Sequence, residues 1–184
     1  MKRKKKVVFP FLTPSKDIKR DKGNHIIEWY SRGNKKYNLT SEKASKNIIH
    51  LPTAGRYALD FHNSRYFNGK CEAFFNTKPG SYGYICVTFH VQAEGEQTIL
   101  TNYDSSNPGR FNEISASNTE IYIWGRKEGK TTHTVIQHKC REWTTLFVEW
   151  YNTKSHMYGN YNINDEEKSK GAFTFDHNIP AVYS

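Results

Sequence analysis

The sequence predicts an all-β protein of short antiparallel strands, and three observations carry that prediction. The chain of 184 residues contains 12 Tyr, 11 Phe, 16 Asn and 15 Thr, against 6 Leu and 8 Ala. Aromatic and β-branched residues favour strands, whereas helices are built from Leu, Ala, Glu and Lys. Short apolar segments also alternate with turn signals at regular spacing, which is typical of a sandwich or barrel. Only the polar stretch 165–169 is suited to a helical turn.

The individual strands follow from apolar alternation between Gly, Pro, Asn and Ser breaks. The longest, 84–92, reads YICVTFHVQ and ends before Gly95, while Pro108 and Gly109 form the clearest turn. A further turn at 125–130 has a glycine near its start and its end. The predicted strands are 26–30, 48–49, 57–61, 72–75, 84–92, 97–103, 111–115, 120–124, 132–138, 144–151, 156–161 and 172–175.

The basic residues are concentrated at the N-terminus. Residues 1–46 hold 14 Lys or Arg against 4 Asp or Glu, and the other 138 residues hold 13 against 14. The net charge of +9 therefore belongs to an arm and not to the folded body. We expect a basic N-terminal arm over 1–47 and a β-sandwich domain over 48–184.

The arm contains two patterns with different expected roles. The run Lys2, Arg3, Lys4, Lys5 and Lys6 is typical of a nuclear-import signal, a nucleic-acid contact or a solvated tail. The apolar patch 7–12 follows it and cannot form a core by itself. We expect this patch to dock as an extended peptide in a partner's groove, through Val8, Phe9, Pro10 and Phe11.

The sequence predicts no enzymatic activity, metal or other cofactor. Glycosidases need two facing carboxylates, and the closest candidates, Glu94 and Glu96, lie at a glycine turn. His133, His138 and Cys140 match no zinc spacing. The chain shows no signal peptide and no apolar run long enough to span a membrane, so reduced thiols and no membrane insertion are expected. Cys86 is predicted to be a small core residue, and Trp143 and Trp150 are also predicted to lie in the core.

Three segments resemble the laminin-G-like, or concanavalin A-like, jelly-roll family. Residues 57–61, YALDF, are similar to its opening strand, and 84–101, YICVTFHVQAEGEQTILT, to its central strand pair. Residues 143–160, WTTLFVEWYNTKSHMYGN, resemble a later pair of strands. The resemblance spans about 57–176 and implies a two-sheet antiparallel jelly-roll sandwich that binds ligands like a lectin. The family's calcium site is not carried over, because the corresponding loop offers Asp104 alone and calcium needs several oxygen ligands.

We expect the ligand site at the rim of this sandwich, in the loop 103–110. An aromatic ring there can stack on a sugar, and polar groups can hold its hydroxyls. The predicted contacts with a glycan or receptor are Tyr103, Asp104, Asn107, Arg110 and Trp124.

Trp124 and Tyr122 should point away from the core if Ile121 and Ile123 point into it. The alternative is that Trp124 is covered by the arm or by another subunit. A second polar and aromatic candidate comprises Tyr151, Tyr158 and Tyr161 with Asn152, Asn160 and Asn162, and a structural role for it remains open.

A basic arm ahead of a lectin-like sandwich favours a viral or virus-like structural protein. Residues 2–11 resemble the N-terminal tail of adenoviral fibre proteins, which docks on the capsid. The leading expectation is a non-enzymatic attachment protein that reaches the host nucleus during assembly and the virion surface afterwards. Its partners would be a glycan or cell-surface receptor, other copies of itself in a trimer or shell, and capsid protein. The alternative is a small icosahedral coat protein whose arm binds nucleic acid. A third hypothesis is an intracellular interaction module that belongs to no particle.

Overall fold

A computed structural model gives the fold, and the prediction of an all-β protein is confirmed: the described part consists of antiparallel strands with one short turn of 3-10 helix. The described residues are 18–23, 25–30, 39–45, 48–51, 56–59, 80–101, 110–127 and 130–176. Two compact units divide the chain, Met1–Glu72 and Ala73–Ser184.

The described residues of the N-terminal unit form two small antiparallel sheets. Sheet A has the order β1-β2-β3, and sheet B pairs β4 with β5. Their bounds are β1 Ile18–Arg20, β2 Ile26–Trp29, β3 Leu39–Ser45, β4 Ile48–Leu51 and β5 Arg56–Leu59. Strands β1 and β3 lie within the segment expected to be the arm, where only a strand at 26–30 was anticipated. Residues 1–17, with the whole basic run and the apolar patch, lie outside the described residues.

The described residues of the C-terminal unit form two four-stranded antiparallel sheets. Sheet C has the order β13-β12-β11-β6, and sheet D has the order β10-β9-β8-β7. Their bounds are β6 Tyr82–Phe89, β7 Gln97–Thr101, β8 Arg110–Ala116, β9 Glu120–Lys127, β10 Lys130–Gln137, β11 Thr144–Asn152, β12 His156–Ile163 and β13 Lys170–Asp176. The 3-10 turn Glu167–Ser169 falls where a helical turn was predicted.

One core lies between these two sheets. Ile114, Ile121 and Ile123 of sheet D belong to the same buried cluster as Leu146 and Val148 of sheet C. The alternation of β11, in which every second residue is buried, directs Leu146 and Val148 inward because side chains of a strand alternate between faces. The C-terminal unit is therefore sandwich-like, with two outward faces.

Aromatic rings of sheet C cover glycines on the neighbouring strands. Trp150 is opposite Gly83 in the register of β11 with β6, and Tyr161 is opposite Gly171 in that of β12 with β13. A Cβ built on Gly83 would lie 2.6 Å from Cε2 of Trp150 and closer still to a neighbouring ring carbon. The absence of a side chain at Gly83 therefore lets the Trp150 ring pack directly against this position of β6.

Two segments cross between the sheets, one from β6 to β7 and one from β10 to β11. The turn between β8 and β9 forms hydrogen bonds with both of them. The Asn118 N–H donates to the Ala93 carbonyl at 2.9 Å, and the Asn118 carbonyl accepts from the Cys140 N–H at 3.0 Å. Val91 N–H donates directly to the Cys140 carbonyl at 2.9 Å. Residues 91–93, 118 and 140 thus form one hydrogen-bonded clip at this end of the unit.

Candidate functional site

The rim-loop prediction falls mostly on residues whose structure is not described. Tyr103, Asp104 and Asn107 lie outside the described residues, as do Lys2–Lys6 and Val8–Phe11 of the arm. Arg110 begins β8, but only its backbone is described. Trp124 is the one predicted ligand residue with a described side chain. The rim-loop site therefore stays a prediction.

Trp124 lies on the outward face of sheet D, as its alternation with the isoleucines predicted. Ile121 is fully buried and Ile123 is 4% exposed, whereas Tyr122 and Trp124 are half-buried. The indole Nε1 donates to Glu96 Oε1 at 2.7 Å and to Ser115 Oγ at 2.8 Å. Trp124 is thus anchored to its own sheet.

Two rings flank the Trp124 indole. The His133 ring lies 4.3 Å from it, between centroids, and the Tyr122 ring stacks beside it at 6.0 Å. Trp124 therefore belongs to a local cluster of aromatic rings with the Glu96 carboxylate.

A second carboxylate of this face, Glu120, is also bound by its neighbours. It accepts hydrogen bonds from the Tyr122 hydroxyl and from Gln137 Nε2, the latter at 2.6 Å. The bond from Tyr122, followed by that from Gln137, holds the pKa of Glu120 below its ordinary value. The same bond raises the pKa of Tyr122, because only the protonated phenol can donate a hydrogen bond to the carboxylate. The Glu120 carboxylate and the Tyr122 hydroxyl are therefore both engaged in hydrogen bonds within sheet D.

The outward face of sheet C is the more open aromatic surface. In β6 the residues with even numbers point outward, in β11 those with odd numbers and in β12 those with even numbers. This phase brings five rings to one face, which we call the tyrosine face. Its rings are Tyr82, Tyr84, Phe147, Tyr151 and Tyr158.

The exposed area on this face is large. Tyr82 is 61% exposed, Tyr151 49%, Tyr158 46% and Phe147 37%. These are four of the six exposed large hydrophobic side chains in the described part of the chain. Single exposed hydrophobic residues are ordinary, but a contiguous group marks an interaction surface.

Polar groups at the middle of the tyrosine face are already oriented. Glu149 accepts from the Tyr82 hydroxyl at 3.3 Å and from Asn160 Nδ2 at 3.1 Å. Partial desolvation and the Glu149 carboxylate raise the pKa of Tyr82 above its ordinary value. The phenol of Tyr82 thus stays protonated at neutral pH, where it remains a hydrogen-bond donor.

The aromatic surface continues along the same two strands beyond Phe147. The rings of His90 and Trp143 stack with centroids 5.4 Å apart, and Trp143 is 41% exposed. His90 Nε2 lies 2.6 Å from the Arg141 carbonyl, which fixes the imidazole. The hydroxyls of Thr88 and Thr145 lie between this pair and Phe147, bonded to each other at 3.0 Å.

The structure corrects two predictions of core residues. Trp143 immediately precedes β11 and is exposed because it continues the odd-numbered positions that point outward in that strand. Trp150 is at an even-numbered, inward position and is 2% exposed, as predicted. Cys86 was predicted to be buried, but it is exposed because it follows the outward phase of β6.

The second polar and aromatic candidate is split between the two sides of sheet C. Tyr151, Tyr158 and Asn160 face outward, whereas Tyr161 packs against the core and Asn152 is fully buried.

Sequence reasoning missed Tyr82, Tyr84, Phe147 and the placement of Glu149. The alternation of β11 is the signal that could have found Phe147. No local pattern in the sequence predicts that β6 lies beside β11, so Tyr82 and Tyr84 could not be assigned to this face.

Comparison with known proteins assigns no family or function to this chain. Neither a protein-family model, nor a curated protein, nor a solved structure matches this chain. Within the described ranges, His, Cys, Asp and Glu form no group of three or more able to hold a metal ion. The same residues include no helix with the length and apolar character of a membrane span.

Proposed function

We propose that the chain is a non-enzymatic binding protein whose C-terminal unit attaches to a glycan through the tyrosine face. The supporting observation is the concentration of exposed rings around oriented hydrogen-bonding groups. Tyr82, Tyr151 and Phe147 offer flat apolar surfaces, and Glu149 with Asn160 offers polar partners beside them. Sugars present an apolar ring face and peripheral hydroxyls, which match these two elements.

A binding role fits this face better than glycoside hydrolysis. Hydrolysis requires a pair of carboxylates, one on each side of the scissile bond. Strands β6, β11 and β12 together carry a single carboxylate, Glu149. Its hydrogen bonds to Tyr82 and Asn160 suit it to accept from a sugar hydroxyl or to hold its neighbours in place.

The jelly-roll topology and the rim loop remain part of the proposal. Two antiparallel sheets on one core support the proposed sandwich, and the pairing of β6 with β11 places strands distant in sequence side by side, as Greek-key folds do. The segment 103–110 connects β7 to the first residue of β8, and β8 belongs to the same unit as the tyrosine face. A second set of contacts at Tyr103, Asp104, Asn107 and Arg110 is a separate hypothesis for the same ligand.

A glycan array with matched variants tests the proposal. Tyr82→Ala removes the most exposed ring, and we expect roughly a tenfold loss of affinity, because a stacked aromatic contributes about 1 kcal/mol or more. Val135→Ala, an exposed apolar residue on sheet D at 42%, should bind like the parent. Both substitutions should change stability by about 1 kcal/mol or less.

The array also separates the two candidate sites. Loss of binding in Tyr103→Ala and Arg110→Ala, with Tyr82→Ala unaffected, would place the site on the rim loop. Binding to no glycan by the folded parent protein would refute the proposed function.

The wider biological role stays with the viral or virus-like structural proposal. An attachment protein needs a recognition surface and a means of joining a particle, and the arm with its patch 7–12 supplies a candidate for the second. The alternative, a coat protein, draws its support from the basic run Lys2–Lys6 and the excess of Lys and Arg in 1–46. Its nucleic-acid affinity should fall steeply with salt. Electron microscopy separates the two, since closed shells favour the coat protein and discrete oligomers the attachment protein.

A further inference from the structure

Aromatic side chains extend along the full length of strands β6 and β11. At one end are Tyr82, Tyr151 and Tyr158, in the middle are Tyr84 and Phe147, and beyond the other end are His90 and Trp143. Trp143, Phe147 and Tyr151 recur at every fourth position on one face. At about 3.3 Å per residue, Trp143 and Tyr151 are separated by roughly 26 Å. We call this series of three ring groups the aromatic strip.

Hydrogen-bonding groups fill the spaces between the ring groups. Glu149 and Asn160 lie between the first group and the second, and Thr88 and Thr145 lie between Phe147 and Trp143. The strip thus alternates rings with polar groups along the strand direction. A ligand that matches it must itself repeat apolar faces and hydroxyls over the same length.

The charges of this face disfavour an anionic ligand. Glu149 places a carboxylate among the rings of the first and second groups. Lys170, which is opposite Asn162 at the side of the face, is already paired with Glu167 at 2.6 Å. At the first and second ring groups, a carboxylated or sulfated sugar would meet Glu149, and β6, β11 and β12 carry no Lys or Arg to offset this charge.

We propose that the aromatic strip binds a neutral, unbranched polysaccharide in an extended conformation, parallel to β6 and β11. This inference rests on the proposed glycan-binding function and specifies its ligand class. A terminal sugar would contact one ring group and leave the other two uncovered. A polysaccharide chain places successive sugar rings on successive groups, and each contact adds to the affinity.

A length series tests the proposal directly. The probes are cello-oligosaccharides from the disaccharide upward, together with neutral and anionic polysaccharides, measured by calorimetry on the full chain. We expect affinity to rise with length until the oligomer spans the strip and then to level off. Trp143→Ala should lower the affinity for long chains about tenfold and leave that for short ones unchanged. Trp143→Tyr, which retains a ring, should restore most of the loss.

Cys86 provides an independent readout because its exposed thiol lies on the strip, opposite Phe147 in the strand register. Saturating polysaccharide should slow the alkylation of Cys86 at least tenfold, measured at this site by mass spectrometry. Free glutathione in the same tube reports any change in the reagent.

Each alternative outcome has a distinct result. Three results would overturn the ligand class and keep the proposed function. They are glycan binding that does not depend on oligomer length, a preference for anionic chains, and a bound state in which Cys86 stays reactive. Failure to bind any glycan overturns both. Self-association that protects Cys86 without ligand, and that Tyr82→Ala abolishes, would identify a second copy of the chain as the occupant and also overturn the proposal.

Discussion

Replacing Gly83 with alanine should destabilise the C-terminal unit through a single steric conflict. The added Cβ would lie 2.6 Å from Cε2 of Trp150, well inside the contact distance of two carbon atoms. Trp150 is 2% exposed and belongs to the core cluster, so its ring has little room to move away. The conflict must therefore be relieved by shifting β6 or the ring.

The expected cost follows from known effects of overpacking. Forcing one methyl group into a filled core costs about 1–3 kcal/mol. If the ring is expelled instead, the loss approaches the roughly 3–5 kcal/mol of a buried Trp truncation. We expect a cost of about 2–4 kcal/mol, between these limits.

Two other glycines of the same unit separate sterics from backbone strain. Gly95 has open space around a built Cβ, so Gly95→Ala should be neutral or stabilise by up to about 1 kcal/mol. Gly80 also has open space but a φ of 78°, so Gly80→Ala should cost about 1–2 kcal/mol through backbone strain alone.

Urea unfolding of the full chain, followed by tryptophan fluorescence and near-ultraviolet circular dichroism, measures all three variants. The expected order of loss is Gly83→Ala, then Gly80→Ala, then Gly95→Ala. A Gly83→Ala variant as stable as the parent would refute the packing of the Trp150 ring over this glycine.

Three further outcomes are expected. Leu146→Ala should lower the free energy of unfolding by about 2–5 kcal/mol, because Leu146 is fully buried; a loss below 1 kcal/mol, measured by urea unfolding, would contradict its core role. Tyr122→Phe should raise the pKa of Glu120 toward its ordinary value of 4.5, as read by NMR titration, since the phenol hydrogen bond is its main cause of depression. Because the folded pKa of Glu120 is the lower one, its contribution to stability is present above pH 4.5 and is lost as the pH falls through the folded value. Iodoacetamide at mildly alkaline pH should label Cys86 and spare Cys140, whose burial raises its pKa to about 11; equal labelling in the folded protein would refute this assignment.

The strands of the C-terminal unit were predictable because the alternation of apolar and polar residues in their sequences matches the alternation of buried and exposed side chains. In Thr144–Asn152 each second residue is buried, the three inner ones are apolar, and the predicted segment 144–151 differs by one residue. In the N-terminal unit, Leu39–Ser45 is a strand although its sequence LTSEKAS lacks apolar alternation. Its pairing with Ile26–Trp29 uses backbone groups, which composition does not reveal.

The tyrosine face was only partly predictable, for two physical reasons. Residue type suggested that Cys86 and Trp143 would be buried, but the phase of the strand decides which face a side chain takes. The grouping of Tyr82 with Tyr151 depends on the pairing of strands distant in sequence. Local periodicity specifies faces, and it contains no information on which strands become neighbours.

The pairing of β6 with β11 also implies an order of folding. Sheet D joins strands that follow one another, with a tight turn between Ala116 and Glu120, whereas Thr144 of β11 meets Phe89 after about 55 intervening positions. Closing that longer segment costs about 2 kcal/mol more chain entropy than closing a short hairpin. Formation of sheet D shortens this effective separation, and the backbone of Asn118 then ties its two ends together. We therefore expect the pairs of consecutive strands in both sheets to form before β6 pairs with β11, which completes the tyrosine face.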